Sequence, residues 1–163
     1  MQLEKLFTMQ KALDTHIQEK HGLTGADLVN RKVLALLVEI GELANETRCF
    51  KFWSVKPSSA KEVILEEFVD GVHFILSLGI ECGFDERKME LKPSDVSVNV
   101  TEQFLAIYEL VNNFQKNRGF KEYQALWEGY LQLASFLGLS SEEIEQAYFA
   151  KNEVNYQRQE NNY

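Results

Sequence analysis

Apolar positions recur along this chain at three- and four-residue intervals and rarely alternate, which predicts helices and no sheet. A first segment, from about Leu3 to about Glu19, puts Leu3, Leu6, Phe7, Gln10, Leu13 and Ile17 near one stripe, and His21-Gly22 ends it. A second, from about Gly25 to about Thr47, carries Val33, Leu36, Leu37, Ile40 and Leu43. The stretch "CFKFWSVKPSS" reads as a loop. Ser59 with Glu62 reads as a capping box for a third helix, ending near Cys82. That helix is apolar on most faces, so it belongs in the middle of a bundle. A connection containing Pro93 follows. Asn99 with Glu102 opens a fourth helix to about Lys116, a fifth spans about Lys121 to Leu137, and Ser140 with Glu143 caps a sixth. Beyond Ala150 the chain turns polar. The expected fold is all-α, about six helices in a single domain over residues 1–163, with residues from about 151 onward as a tail.

Two acidic pairs interrupt the apolar pattern. Glu39 and Glu42 lie three apart in "VEIGELANE", and Glu67 and Asp70 lie three apart in "LEEFVDGVHF". That spacing puts each pair on one helix face. Most helical acidic pairs simply face water. Here both flanking segments are apolar, the third helix is central, and Glu46 adds to the same negative face. Carboxylates converging in such a place resist ionising unless a cation sits between them. An all-oxygen cluster suits Mg²⁺, with Mn²⁺ as a substitute. A di-iron site needs a Glu-x-x-His from each of two helices, and this chain has only Asp70-x-x-His73.

Composition narrows the function. A formal net charge of −8 over 163 residues argues against a duplex nucleic acid or an anionic membrane as partner. No stretch approaches the roughly 18 apolar residues of a membrane span. The two cysteines, Cys49 and Cys82, have no metal-type spacing and read as reduced thiols in a cytoplasmic protein without a signal peptide. Local cations can still hold a small phosphorylated ligand. Lys151, Asn155 and Arg158 are spaced four and three apart and share one stripe. They can grip phosphates or merely balance the helix dipole. Trp53 can stack on a base or plug the loop it lies in. Gln10 sits on an apolar stripe, where its amide needs partners and can read a base edge. His73 and Phe74 extend the Glu67/Asp70 face by one turn; a lone His there is more often core than ligand.

The Glu-x-x-Glu pair, a 24-residue spacer from 43 to 66, and the Glu-x-x-Asp pair resemble the MazG-like all-α nucleoside triphosphate pyrophosphatases. "MQKALD", the Phe-Trp loop, Asp-x-x-His-Phe and the terminal "KNEVNYQRQ" are similar to the dimeric dUTPases of that superfamily, over most of the chain. The resemblance implies Glu39, Glu42, Glu67 and Asp70 as Mg²⁺ ligands, with Glu39 positioning or deprotonating the attacking water. It implies Asp70 and Phe74 near deoxyribose, and Gln10 and Trp53 on uracil, the Gln10 amide complementing both O4 and N3–H. Lys151, Asn155 and Arg158, joined by Lys56, would hold the phosphates. Where the family usually has an amide one turn after Gln10, this chain has Asp14. The implied reaction is dUTP to dUMP and pyrophosphate, with dUDP also accepted, attack on the β-phosphorus, a homodimer, and a tail that orders only with ligand. Related activities stay open: a pyrophosphatase for dCTP or a damaged nucleotide, or a non-catalytic helical binding protein.

Overall fold

The structure is a computed structural model that describes residues 1–92 and 99–161. Among these residues it is all helix and loop, with α1 Leu3–Lys20, α2 Val29–Thr47, α3 Lys61–Glu81, α4 Val100–Asn117, α5 Phe120–Phe136 and α6 Ser141–Glu160. Pro93 and the end of the tail at Tyr163 lie outside the described residues.

The apolar character of α3 places it as expected: it packs against α1, α2, α5 and α6, while α4 bridges α2 and α5. Phe68, Val69, Val72, Ile75, Leu76 and Leu78 of α3 are fully buried. Two glycines let neighbours approach its backbone. Tyr130 of α5 donates its hydroxyl to the Phe68 carbonyl at 2.9 Å. A Cβ on Gly71 would lie 2.0 Å from that hydroxyl oxygen. One stretch further, Tyr123 of α5 donates to the Ile75 carbonyl at 2.8 Å beside Gly79.

The predicted ends fare differently. Asn99 accepts from the Glu102 N–H, and Ser140 with Glu143 forms a full capping box. Ser59 does not cap α3. The helix starts at Lys61, and the Ser59 hydroxyl donates to the Glu46 carboxylate instead. Glu46 still lines a shallow surface pocket with Glu42 and Glu67, so it does thicken that acidic face. α2 begins at Val29 rather than near Gly25, because Gly25 adopts φ +78° and the Asp27 carboxylate accepts from the Val29 N–H. The C-terminal segment is helical: α6 continues through Glu160, and Lys151, Asn155 and Arg158 all lie on it.

Candidate active site

The i, i+3 spacing on α2 and α3 and the packing of these two helices bring three of the four acids together. One carboxylate oxygen each from Glu39, Glu67 and Asp70 lies within 4.8 Å of the others. Glu42 is exposed beside them. All three converged acids feel their burial first. Glu39 is pushed up to about 7 by burial and then by Asp70, Glu42 and Glu67. Burial, followed by the neighbouring acids, also raises Glu67. In Asp70, burial outweighs the opposing pull of Lys151, whose Nζ lies 2.8 Å from Asp70 Oδ2 and 2.9 Å from Glu66 Oε1. An oxygen-only trio with this mutual repulsion is a donor set for a hard divalent cation.

A cavity of about 290 Å³ opens beside Glu39 and Asp70, while Glu67 lines a separate shallow pocket with Glu42 and Glu46. Its lining includes Glu39, Asp70, Phe74, Asn155 and Arg158 together with Gln10, Asp14, Lys32, His73 and Ser77. The structure therefore joins Gln10 from α1, the acids from α2 and α3, and the basic stripe of α6 in one place. It leaves Trp53 and Lys56 outside. Both lie on an exposed loop that does not line the cavity. Arg48, in the left-handed conformation at the end of α2, holds that loop through Ser54 Oγ at 2.6 Å and the Lys56 carbonyl at 3.1 Å.

Gln10 differs from its expected role. It is buried, and Tyr148 donates its hydroxyl to Gln10 Oε1 at 2.9 Å, while His73 Nδ1 lies 2.7 Å from the same oxygen. Burial and Lys151 push His73 down to about 3, so the ring is neutral and Nδ1–H is the donor. Both lone pairs of the amide oxygen are thus used. The amide nitrogen donates to Asp14 Oδ1 at 2.8 Å. Gln10 cannot complement both O4 and N3–H of a base; it has one N–H left to offer. His73 is a core residue, stacked on Tyr148 with ring centroids 4.2 Å apart.

Sequence reasoning missed Lys32, Ser77 and Tyr148 altogether. Lys32 Nζ reaches Asp14 Oδ2 at 3.2 Å and Glu81 Oε1 at 2.6 Å, and the Ser77 hydroxyl donates to Asp14 Oδ2. A signal existed. Lys32 lies seven residues before Glu39 and Ser77 seven after Asp70, so each shares a helix face with an acid. No helix is long and apolar enough to cross a membrane among the described residues.

A family model described as dUTPase matches residues 2–163. No curated protein matches the chain.

Proposed function

The chain belongs to this dUTPase family and is a dUTP diphosphatase, and on that premise we propose that Glu39, Glu42, Glu67 and Asp70 hold Mg²⁺, or Mn²⁺ in its place, at the phosphate end of the cavity. The observation that carries this reading is the converged trio of Glu39, Glu67 and Asp70, two of which, Glu39 and Asp70, line a cavity walled by Gln10. Partly buried carboxylates so close together are stable only when protonated, ion-paired or bound to a cation. When bound, the ion neutralises phosphate charge and makes water a stronger acid.

The chain's own residues supply the rest. Glu39 takes the proton of the attacking water; without the cation, burial and the neighbouring acids hold its carboxyl up to about 7. Arg158 and Lys151 grip the phosphate oxygens, Arg by its planar fork and Lys as a point charge, and Asn155 adds a polar contact. Phe74 walls the sugar where a 2′-hydroxyl would sit, beside Asp70. Gln10 meets the uracil edge. The products from dUTP are dUMP and pyrophosphate; dUDP enters the same site and gives dUMP and orthophosphate, because none of these contacts requires the third phosphate.

Trp53 and Lys56 act on the nucleotide from a second copy of the chain. The Arg48 hydrogen bonds support this, since they fix the loop in an outward position rather than leaving it free to fold over its own cavity. Exposed apolar side chains on the neighbouring helices, Leu34 and Val38 on α2 and Leu105 on α4, suit a homodimer face. The two half-buried free thiols, Cys49 and Cys82, suit a cytoplasmic enzyme.

The test is release of pyrophosphate from dUTP, dCTP, dTTP and UTP, and of orthophosphate from dUDP, with Mg²⁺ and with EDTA, alongside the mass of the particle in solution. Metal-dependent turnover of dUTP by a dimer supports the reading. Turnover that survives EDTA removes the metal from it.

A further inference from the structure

Glu39 and Glu42 stand on either side of Gly41, the one residue of α2 without a Cβ. Tyr108 of α4 reaches that point. It donates its hydroxyl to the Leu37 carbonyl at 2.9 Å, and its oxygen lies 3.1 Å from where a Cβ on Gly41 would sit. In a regular helix the Leu37 carbonyl also accepts the Gly41 N–H. The phenol therefore adds a second donor to the backbone bond that closes around Glu39. Burial holds this hydroxyl above its ordinary range, so at neutral pH it keeps its proton and donates.

The other forces on α2 leave this point undetermined. Val33, Leu36, Ile40 and Leu43 are buried and hold the helix in the core, but apolar burial is non-directional. Polar ties act at the ends, Lys32 to Asp14 in the first turn and Ser59 to Glu46 in the last, each about two turns from Glu39. Tyr108 acts at the level of the acids. At 3.6 residues per turn, Glu39 leaves α2 roughly opposite Leu37 and Gly41. A side-chain tip stands about 5–6 Å from the helix axis, so a twist of about 10° carries the Glu39 carboxylate about 1 Å. Ligand distances to a bound cation tolerate only about 0.2 Å.

Resting on the reading of Glu39 and Glu42 as Mg²⁺ ligands, we propose that Tyr108 is a positioning residue for the reaction: its hydroxyl, seated against Gly41 and bonded to the Leu37 carbonyl, fixes the twist of α2 at which Glu39 meets Glu67 and Asp70 around the cation. Tyr108 lines neither the cavity nor the shallow acidic pocket, so its effect passes through the α2 backbone. Gly41 belongs to the same device, because a Cβ there would crowd the phenol oxygen.

The experiment compares wild type, Tyr108→Phe and Gly41→Ala, by dUTP kinetics over a Mg²⁺ titration and by the rise in Tm that Mg²⁺ gives without nucleotide. Tyr108→Phe keeps the ring and removes only the donor. It should lower kcat about ten-fold, leave KM for dUTP within about two-fold, and raise the half-activating Mg²⁺ concentration about five-fold. The Mg²⁺-induced rise in Tm should shrink with it. Gly41→Ala displaces the hydroxyl instead of deleting it and should move the same readouts in the same direction by a smaller factor. A merely structural role would lower the Tm of the metal-free protein and move neither kcat nor the Mg²⁺ midpoint. Should Tyr108→Phe fail to fold, Gly41→Ala carries the test. A folded Tyr108→Phe with kcat and Mg²⁺ midpoint within about two-fold of wild type overturns the proposal. The two readings fail separately: a wild type whose turnover and Tm ignore Mg²⁺ sinks the cation site, whereas a Mg²⁺-dependent wild type with an insensitive Tyr108→Phe sinks only the role of Tyr108.

Discussion

Lys151 Nζ stands 2.8 Å from Asp70 Oδ2, where α6 crosses the acidic face of α3. The ammonium is mostly enclosed, with its side chain 12% exposed, and it also reaches Glu66. It draws both Asp70 and Glu67 downward against the effect of their burial.

Removing that charge should separate two roles. Lys151→Met removes the 2.8 Å ion pair to Asp70, and metal-free stability should drop by about 1–3 kcal/mol, the range for a partly buried charged hydrogen bond. The acidic cluster becomes more negative, so the rise in Tm on adding Mg²⁺ should be larger than in the wild type. Thermal melts with and without Mg²⁺ check this. An equal Mg²⁺ shift in both proteins would mean that Lys151 and the cation do not share Asp70.

Glu39 gives a pH dependence of opposite sign to the usual carboxylate. Its pKa stands at about 7 when folded against 4.5 for an ordinary Glu carboxyl. The folded state therefore binds more protons between these values, and stability rises as pH falls through 7. His73 works the other way: its folded pKa of about 3 against 6.5 means stability falls as pH drops below 6.5. Metal-free protein should thus gain Tm between about pH 8 and 6.5 and lose that trend below. The gain should vanish in Glu39→Gln and be suppressed by saturating Mg²⁺, which competes with the proton. Melts across that range in EDTA and in Mg²⁺ decide it.

Chemistry at the site should depend on the acids individually. Glu39→Gln and Asp70→Asn are each expected to lower kcat for dUTP by about 10²–10⁴, the span of a lost general base or charge-stabilising group. Both should also weaken Mg²⁺-induced stabilisation, read by Tm independently of turnover. Full Mg²⁺ stabilisation in Asp70→Asn would remove Asp70 from the ligand set.

Gly71 tests the packing beneath the acids. A methyl there meets the Tyr130 hydroxyl oxygen at 2.0 Å and its ring carbon at 2.7 Å. Gly71→Ala should cost about 1–3 kcal/mol by overpacking. Tyr130→Phe alone leaves the Phe68 carbonyl without its hydroxyl partner. The double variant should be less destabilised than the sum of the two, because one removes part of the clash made by the other. Urea midpoints of the four proteins give the coupling.

Much of this was written in local sequence. Asn99 and Ser140 cap their helices because their side chains have nothing better to bind. The acidic trio was legible because a three-residue spacing on an apolar helix has one geometric meaning. Ser59 misled because Glu46, 13 residues earlier, takes its hydroxyl. Tyr148 was invisible as a partner of Gln10 because the two are 138 residues apart and only the fold joins them. The polarity of α6 after Lys151 suggested a loose tail, yet Asn152 is buried on it and Lys151 is tied to α3. Charge alone does not distinguish a solvated tail from a helix whose polar face closes a site. The outward Phe-Trp loop was likewise unreadable, since its position depends on the left-handed Arg48 and what that guanidinium holds.

The hydroxyls of Tyr130 and Tyr123 meet α3 at the Phe68 and Ile75 carbonyls, seven residues apart on one side of the helix. They work like two pins through a shaft. Neither tyrosine lines the catalytic cavity, yet together they fix the rotation of α3 about its own axis and so the heading of Glu67 and Asp70. The aim of the acids is set from behind, by a helix that contributes nothing to the reaction. Altering the interior face of α5 should misdirect the site, whereas its solvent face can vary freely.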